Sequence, residues 1–302
     1  MTRLRHSLAG LLRYIQISRN GLFVIVEGKK TDPFFYSRLI GPICAAAGIS
    51  YDIVYGNSVE GLGGKSTLIG LYEGLESNKL LARRDGNLDK RCLFYLDKDV
   101  DDVMHKLIRS PHVVYTPFHC VENALFMYGK LVDAAAAASS LDPARLAARM
   151  ANPLEWCRQK AAHWKDFLVL CLLSHKLGIN CECHYKCMRS PINSPPDAPV
   201  DAQKAEAIRA DLQARSGLSD SGFNLKFRAS SRYVECAFKK GLHDLLFNGK
   251  WYFELLRREI KLAGGGDASN DALIAALNLT VDFDGTWTEP FRRPLQELIA
   301  RN

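Results

Sequence analysis

The sequence predicts an α/β fold in which a parallel sheet with flanking helices is followed by a mainly α-helical part. Three observations predict it. Short apolar runs of strand composition alternate with stretches of helical period through residues 20–130. The first three of those runs close on acidic, glycine or asparagine residues, as strands do where they enter turns. Beyond residue 130 the strand-like runs give way to alanine-rich and amphipathic stretches.

Leu-Phe-Val-Ile-Val at 22–26 is β-branched and aromatic and ends at Glu27-Gly28, marking a first strand. Thr31-Asp32-Pro33 starts a helix, with proline in its first turn and Phe34, Phe35, Leu39 and Ile40 as its apolar stripe. Residues 51–55 read as a second strand closed by Gly56-Asn57. A glycine-rich turn (Gly61, Gly63, Gly64) then leads into a helical stretch over 66–81. Residues 92–96 make a third strand ending at Asp97, 112–116 a fourth, and a helix follows from about Val121. This alternation implies right-handed crossovers and a parallel sheet covered on both faces.

The second half reads as helices over 133–150 (restarting at Asp142-Pro143), 154–177, 202–215 and 250–262. Loops are expected near 188–201, which is proline-rich, and near 264–270, after Gly264-Gly265-Gly266. The domain division expected is 20–130 for the sheet and 131–302 for a helical part serving partner binding, dimerisation or substrate contact.

With 47% hydrophobic and 24% charged residues in 302, the composition excludes wholesale disorder and coiled coil. No apolar run reaches the roughly 18–20 residues of a membrane span, so no membrane partner is expected. Arg13, Gln16 and Arg19 interrupt the N-terminal stretch, which argues against a signal peptide. Nine cysteines without a secretion signal point to reduced thiols and a cytoplasmic location. The net charge of +7 permits a polyanionic partner without establishing one.

The acidic groups of the first half sit at strand ends. Glu27 closes the first strand, Asp97 closes the third, and Asp99 follows two residues on. Ligands of open parallel sheets bind outside the carboxyl ends of the strands. If the first and third strands lie close, these carboxylates share one crevice and repel one another unless a cation neutralises them. Hard oxygen donors suit Mg²⁺ or Mn²⁺, which activate water in phosphodiester cleavage. Helix caps or solvated turns are the plainer account of any one of these acids.

Val24-Ile25-Val26-Glu27-Gly28-Lys29-Lys30-Thr31-Asp32, followed by Leu93-Phe94-Tyr95-Leu96-Asp97-Lys98-Asp99, resembles a TOPRIM domain, the Rossmann-like catalytic module of topoisomerases, primases and OLD-family nucleases. The resemblance implies that Glu27 is the general base or first metal ligand and that Asp97 and Asp99 bind the metal. Tyr115-Thr116 through His119, Glu122-Asn123 and Leu125, with a later Asn248-Gly249-Lys250, is similar to a narrower group. These are stand-alone TOPRIM proteins with a helical C-terminal half, often encoded beside an ABC-type ATPase, among them the effectors of PARIS anti-phage systems. Glu122 is then an added ligand or an acid at a helix start, and Lys29 and Lys30 lie where they would hold a scissile phosphate. The resemblance further implies a toxic endonuclease held inactive by the ATPase subunit and active as a homodimer. RNA such as tRNA is the favoured substrate, with DNA or a non-catalytic binding module as alternatives.

Other signals are weaker. Gly61-Leu62-Gly63-Gly64-Lys65-Ser66 lacks the first glycine of a P-loop, since Val59 stands in that position. Cys181, Cys183, His184 and Cys187, with His175 before them, match no standard zinc spacing; buried reduced thiols account for them, with zinc as the alternative. Basic residues interleave with aromatics around Lys226-Phe227-Arg228 and Arg232-Tyr233, as on a nucleic-acid-binding face or an ordinary solvated one.

Overall fold

The structure is a computed structural model and describes residues 8–55, 64–181, 183 and 200–301. In chain order the elements are α1 (Leu8–Ile17), β1 (Leu22–Val26), α2 (Asp32–Ala46), β2 (Tyr51–Tyr55), α3 (Lys65–Ser77), β3 (Ala82–Asp85), β4 (Leu88–Leu96) and β5 (Val113–Tyr115). They continue with α4 (Val121–Tyr128), α5 (Leu131–Ser139), α6 (Pro143–Ala147), α7 (Pro153–His163), α8 (Lys165–Leu177) and α9 (Ala202–Arg215). The last are α10 (Asp220–Lys239), α11 (Gly249–Leu262), α12 (Asn270–Thr280) and α13 (Glu289–Ala300). Two compact units result. The first takes the chain up to Lys98, Leu107–Pro117 and the stretch from Asp282; the second takes Asp99–Lys106 and Phe118–Val281.

In the first unit the strands run β2-β1-β4, all parallel, and β3 and β5 share the far edge of β4. All five residues of β1 are buried, as the interior strand of a sheet covered on both faces requires. Leu11 and Ile15 of α1 and Leu68, Leu71, Tyr72 and Leu75 of α3 pack with Phe23, Ile25, Phe94 and Leu96. A second apolar cluster joins α2, β4 and α13: Tyr36 stacks on Tyr95 at 4.4 Å between ring centroids, and Phe291 lies 6.0 Å from Phe35. The Tyr95 hydroxyl donates to the Phe291 carbonyl at 2.9 Å, so the last helix is tied to the middle of the sheet.

The sheet is mixed, which corrects the expected parallel one. β3 pairs antiparallel with β4, and Asp85 opposite Leu88 leaves Gly86-Asn87 as a two-residue hairpin connection. Gly86 supplies the positive φ, 61°, that such tight connections need. Every residue of β3 is exposed, so no apolar period marks it in the sequence.

The second unit is helical. Residues Phe167 to Ser174 of α8 are all buried, as in a helix surrounded by others. An aromatic cluster fills the centre: Trp164 lies 4.9 Å from Trp251, and Tyr252 lies 4.5 Å from Phe247 and 5.0 Å from Phe126. The single helix expected over 154–177 is broken at buried Trp164, between α7 and α8. Helix starts follow their caps: Asp142 accepts from Ala144 N–H at 2.9 Å and Asn248 from Lys250 N–H at 3.0 Å. The loop after α11 is where the glycines place it, whereas the one expected near 188–201 lies almost wholly outside the described residues. No described helix is long and apolar enough to cross a membrane.

Candidate active site

Glu27 is the first residue after β1 and Asp97 the first after β4. The two strands pair in parallel with Val26 opposite Tyr95. Both acids therefore leave the sheet at its carboxyl edge, on neighbouring strands spaced about 5 Å apart, where open parallel sheets bind their ligands.

The turn after Glu27 is built on Gly28 and Asp32. Asp32 is buried in the first turn of α2, and its Oδ2 accepts the Gly28 N–H at 2.7 Å. A Cβ at position 28 would stand 2.8 Å from Asp32 Oδ1, so the close approach requires glycine there. On another side Gly64, at φ 77°, caps α3, and a Cβ there would lie 3.9 Å from Glu27 Oε1. The positive end of the α3 dipole thus faces the carboxylate. Lys29 and Lys30 are exposed beside it.

Asp97 is 7% exposed. The turn that carries it is clamped by buried Thr116, whose Oγ1 accepts the Lys98 N–H at 2.9 Å while its own N–H donates to the Leu96 carbonyl at 2.9 Å. Lys98 Nζ donates to the Pro117 carbonyl at 3.4 Å. Thr116, the second residue of the Tyr-Thr pair, is thus a support for the Asp97 turn.

Asp99 and Glu122 belong to the second unit. Asp99 has φ 50°, in the left-handed region that non-glycine residues seldom occupy. It is held there by its N–H to the His119 carbonyl at 2.8 Å, and its Oδ1 lies 3.5 Å from His119 Nε2. Glu122 is buried in the first turn of α4, favourable for an acid, with Oε1 4.0 Å from Lys250 Nζ.

Asn123 organises this region. Its amide donates to Asp244 Oδ1 at 3.0 Å and the Phe247 carbonyl at 2.9 Å, and its oxygen accepts the N–H groups of Cys120 and Gly249, each at 3.1 Å. All four of its hydrogen-bonding positions are used. A Cβ at Gly249 would lie 2.4 Å from Asn123 N, so the Asn-Gly-Lys element docks on the Glu-Asn element by backbone contact. Asp244 also accepts from Tyr252 at 3.2 Å and stands 3.3 Å from His243. Burial pushes the Asp244 carboxyl above its ordinary range, against the opposing pull of His243, Asn123 and Tyr252.

The structure thus brings Glu27 and Asp97 to one sheet edge, pairs Asp99 with His119, and sets Glu122 near Lys250. Among the described residues, no three or more His, Cys, Asp or Glu side chains gather in a group that could hold a metal ion. Thr116 and Asn123 stand inside the quoted motifs, yet their supporting roles depend on partners far along the chain; Asp244 lies in no motif at all. Gly61 and Gly63 of the glycine-rich turn lie outside the described residues. Compared with protein-family models, curated proteins and solved structures, the chain matches none.

Proposed function

We propose that this chain is a metal-dependent endonuclease of the TOPRIM type, acting as the toxic effector of an ATPase-coupled anti-phage system. The observation that carries the reading is the placement of Glu27 and Asp97 at the carboxyl ends of adjacent parallel strands. The donors fit the ion. Mg²⁺ dehydrates reluctantly and is commonly bound through one or two carboxylates, keeping its other positions for water and substrate phosphate. A pair of carboxylates is therefore a sufficient protein contribution for Mg²⁺ or Mn²⁺. When bound, the ion would supply charge neutralisation and an activated water at a phosphodiester. Lys29 and Lys30 then steer the anionic backbone toward the edge. The roles of Asp99 and Glu122 as further ligands rest on the sequence resemblance, as do the restraining ATPase, the active homodimer and the preference for RNA.

The test is cleavage of an RNA panel including tRNA, and of DNA, by the chain alone and co-expressed with its neighbouring ATPase, with Mg²⁺, Mn²⁺ or chelator. The expected result is metal-dependent RNA cleavage by the free chain. Glu27→Ala and Asp97→Ala should abolish it while leaving the circular dichroism spectrum unchanged. Cleavage of DNA alone would reassign the substrate; RNA cleavage undiminished in both variants would overturn the site.

A further inference from the structure

We infer that Cys181 and Cys183 form a reversible intramolecular disulfide, made by exchange with a small disulfide of the glutathione type that enters the adjoining cavity. Both lie in the second unit, just past the end of α8, and the inference is independent of the substrate proposed for the first.

Both thiols are free, and their sulfurs are 2.7 Å apart. That is only about 0.7 Å longer than an S–S bond. Two thiolates on one zinc ion would instead stand about 3.8 Å apart, given Zn–S bonds of about 2.3 Å in tetrahedral geometry. The pair is thus closer to the covalent arrangement than to a chelate. Cys181 is partly accessible, while Cys183 is fully buried. Ser174 positions the outer thiol: its hydroxyl donates to the Ile179 carbonyl at 2.6 Å and accepts from Cys181 Sγ at 3.3 Å.

Ser174 also lines a cavity of about 280 Å³, together with Lys106, Cys171, His175, Ile179 and Asn180. Its walls offer a cationic amine, an imidazole and an amide, which suit the carboxylates and peptide groups of a glutathione-type molecule. Cys171 lines the cavity but is buried, whereas Cys181 adjoins it through Ser174 and is partly accessible, so Cys181 is the thiol open to a small disulfide at the cavity.

The exchange balances as follows. Cys181 loses its proton to solvent and attacks the small disulfide, giving a mixed disulfide and one released thiolate. Cys183, once deprotonated, attacks the Cys181 sulfur and expels the second thiolate. Two electrons pass from the protein pair to the small disulfide, which leaves as two thiols. Burial pushes the Cys183 thiol well above its ordinary range, so it reacts slowly with outside reagents and is reached through its neighbour.

The full chain, reduced and desalted, is equilibrated with an excess of oxidised glutathione, alkylated and digested with trypsin. Cleavage after Lys176 and Lys186 releases a peptide whose only cysteines are Cys181 and Cys183. Most of that peptide should be lighter by two hydrogens and carry neither alkyl nor glutathione groups, and excess reduced glutathione should restore both thiols. Cys181→Ser should slow oxidation of Cys183 about tenfold or more, since the exposed entry thiol is gone. Recovery of both cysteines alkylated would overturn the inference. So would a persistent glutathione adduct, or thiols protected by a zinc ion in the purified protein.

Discussion

The two units solve the problem of buried polar groups in different ways. In the first, the parallel ladder satisfies the backbone and the interior is apolar along all of β1, so the acids lie at the rim and are held by turns. In the second, segments outside the α-helices, around 118–120 and the short 3-10 turn and loop at 243–248, enter the core, and side chains must satisfy backbone groups that no ladder reaches. Asn123 and Tyr252 do this near α4, with the Asp244 carboxylate accepting from both, while Glu259 meets Lys160 at 2.9 Å and Arg149 at 3.0 Å farther along α11. A sheet can therefore carry acids at its rim at little cost to its core. A bundle with loops in its core is sensitive to each polar partner it has recruited.

Four substitutions sharpen or break that contrast. The largest effect is expected for Gly249→Ala, because the added carbon meets backbone rather than a movable side chain. It should destabilise the second unit by about 3 kcal/mol or more, read as a lowered urea midpoint of the helical transition. A loss under about 1 kcal/mol would show that the two motif segments are not locked.

Glu259→Gln should cost about 3 kcal/mol, since it strands Lys160, which is only 14% exposed. Burial alone would raise the Glu259 carboxyl, but Lys160, Trp156 and Arg149 outweigh it and hold it below the ordinary 4.5. Its stabilisation is present above that value and is lost as pH falls through the lower folded one. Urea midpoints taken down an acid series should fall less steeply in the variant than in the wild type.

In the first unit, Tyr95→Phe removes the hydroxyl's bond to the Phe291 carbonyl, which stays within the helical ladder of α13, for about 1 kcal/mol. The helical transition should not move. The smallest effect is expected for Asp244→Asn, within about 1 kcal/mol of wild type at neutral pH, because asparagine retains an acceptor for Asn123 and Tyr252. The folded Asp244 holds its proton more tightly than an unfolded one, so stability falls as pH rises above the ordinary 3.8. The variant should lose that slope, tilting the stability–pH curve oppositely to Glu259→Gln.

The sheet was legible where apolar runs were dense. Residues 22–26 and 92–96 announce buried strands and 51–55 a half-buried one, and Glu27 and Asp97 stand out because each ends a buried run. β3 was not legible, being four exposed residues whose only sign is the Gly86-Asn87 turn. The basic residues of α10 drew attention as charge clusters, although the element is a helix opened by Ser219, whose Oγ accepts the Gly222 N–H at 3.3 Å. Supports such as Asn123 to Asp244 span 121 positions and leave no local period to read.

The tie between Tyr95 and Phe291 has a consequence for the order of events during synthesis. The aromatic cluster on that side of β4 needs Phe291, and the ribosome delivers Phe291 only after the whole of the second unit. Since domains generally fold as they emerge, the helical unit can mature while the sheet still waits for its last helix. A chain halted before Asp282 would carry a finished helical unit beside a sheet whose core lies open. The face of β4 that ends at Asp97 is then completed last, after the helical unit.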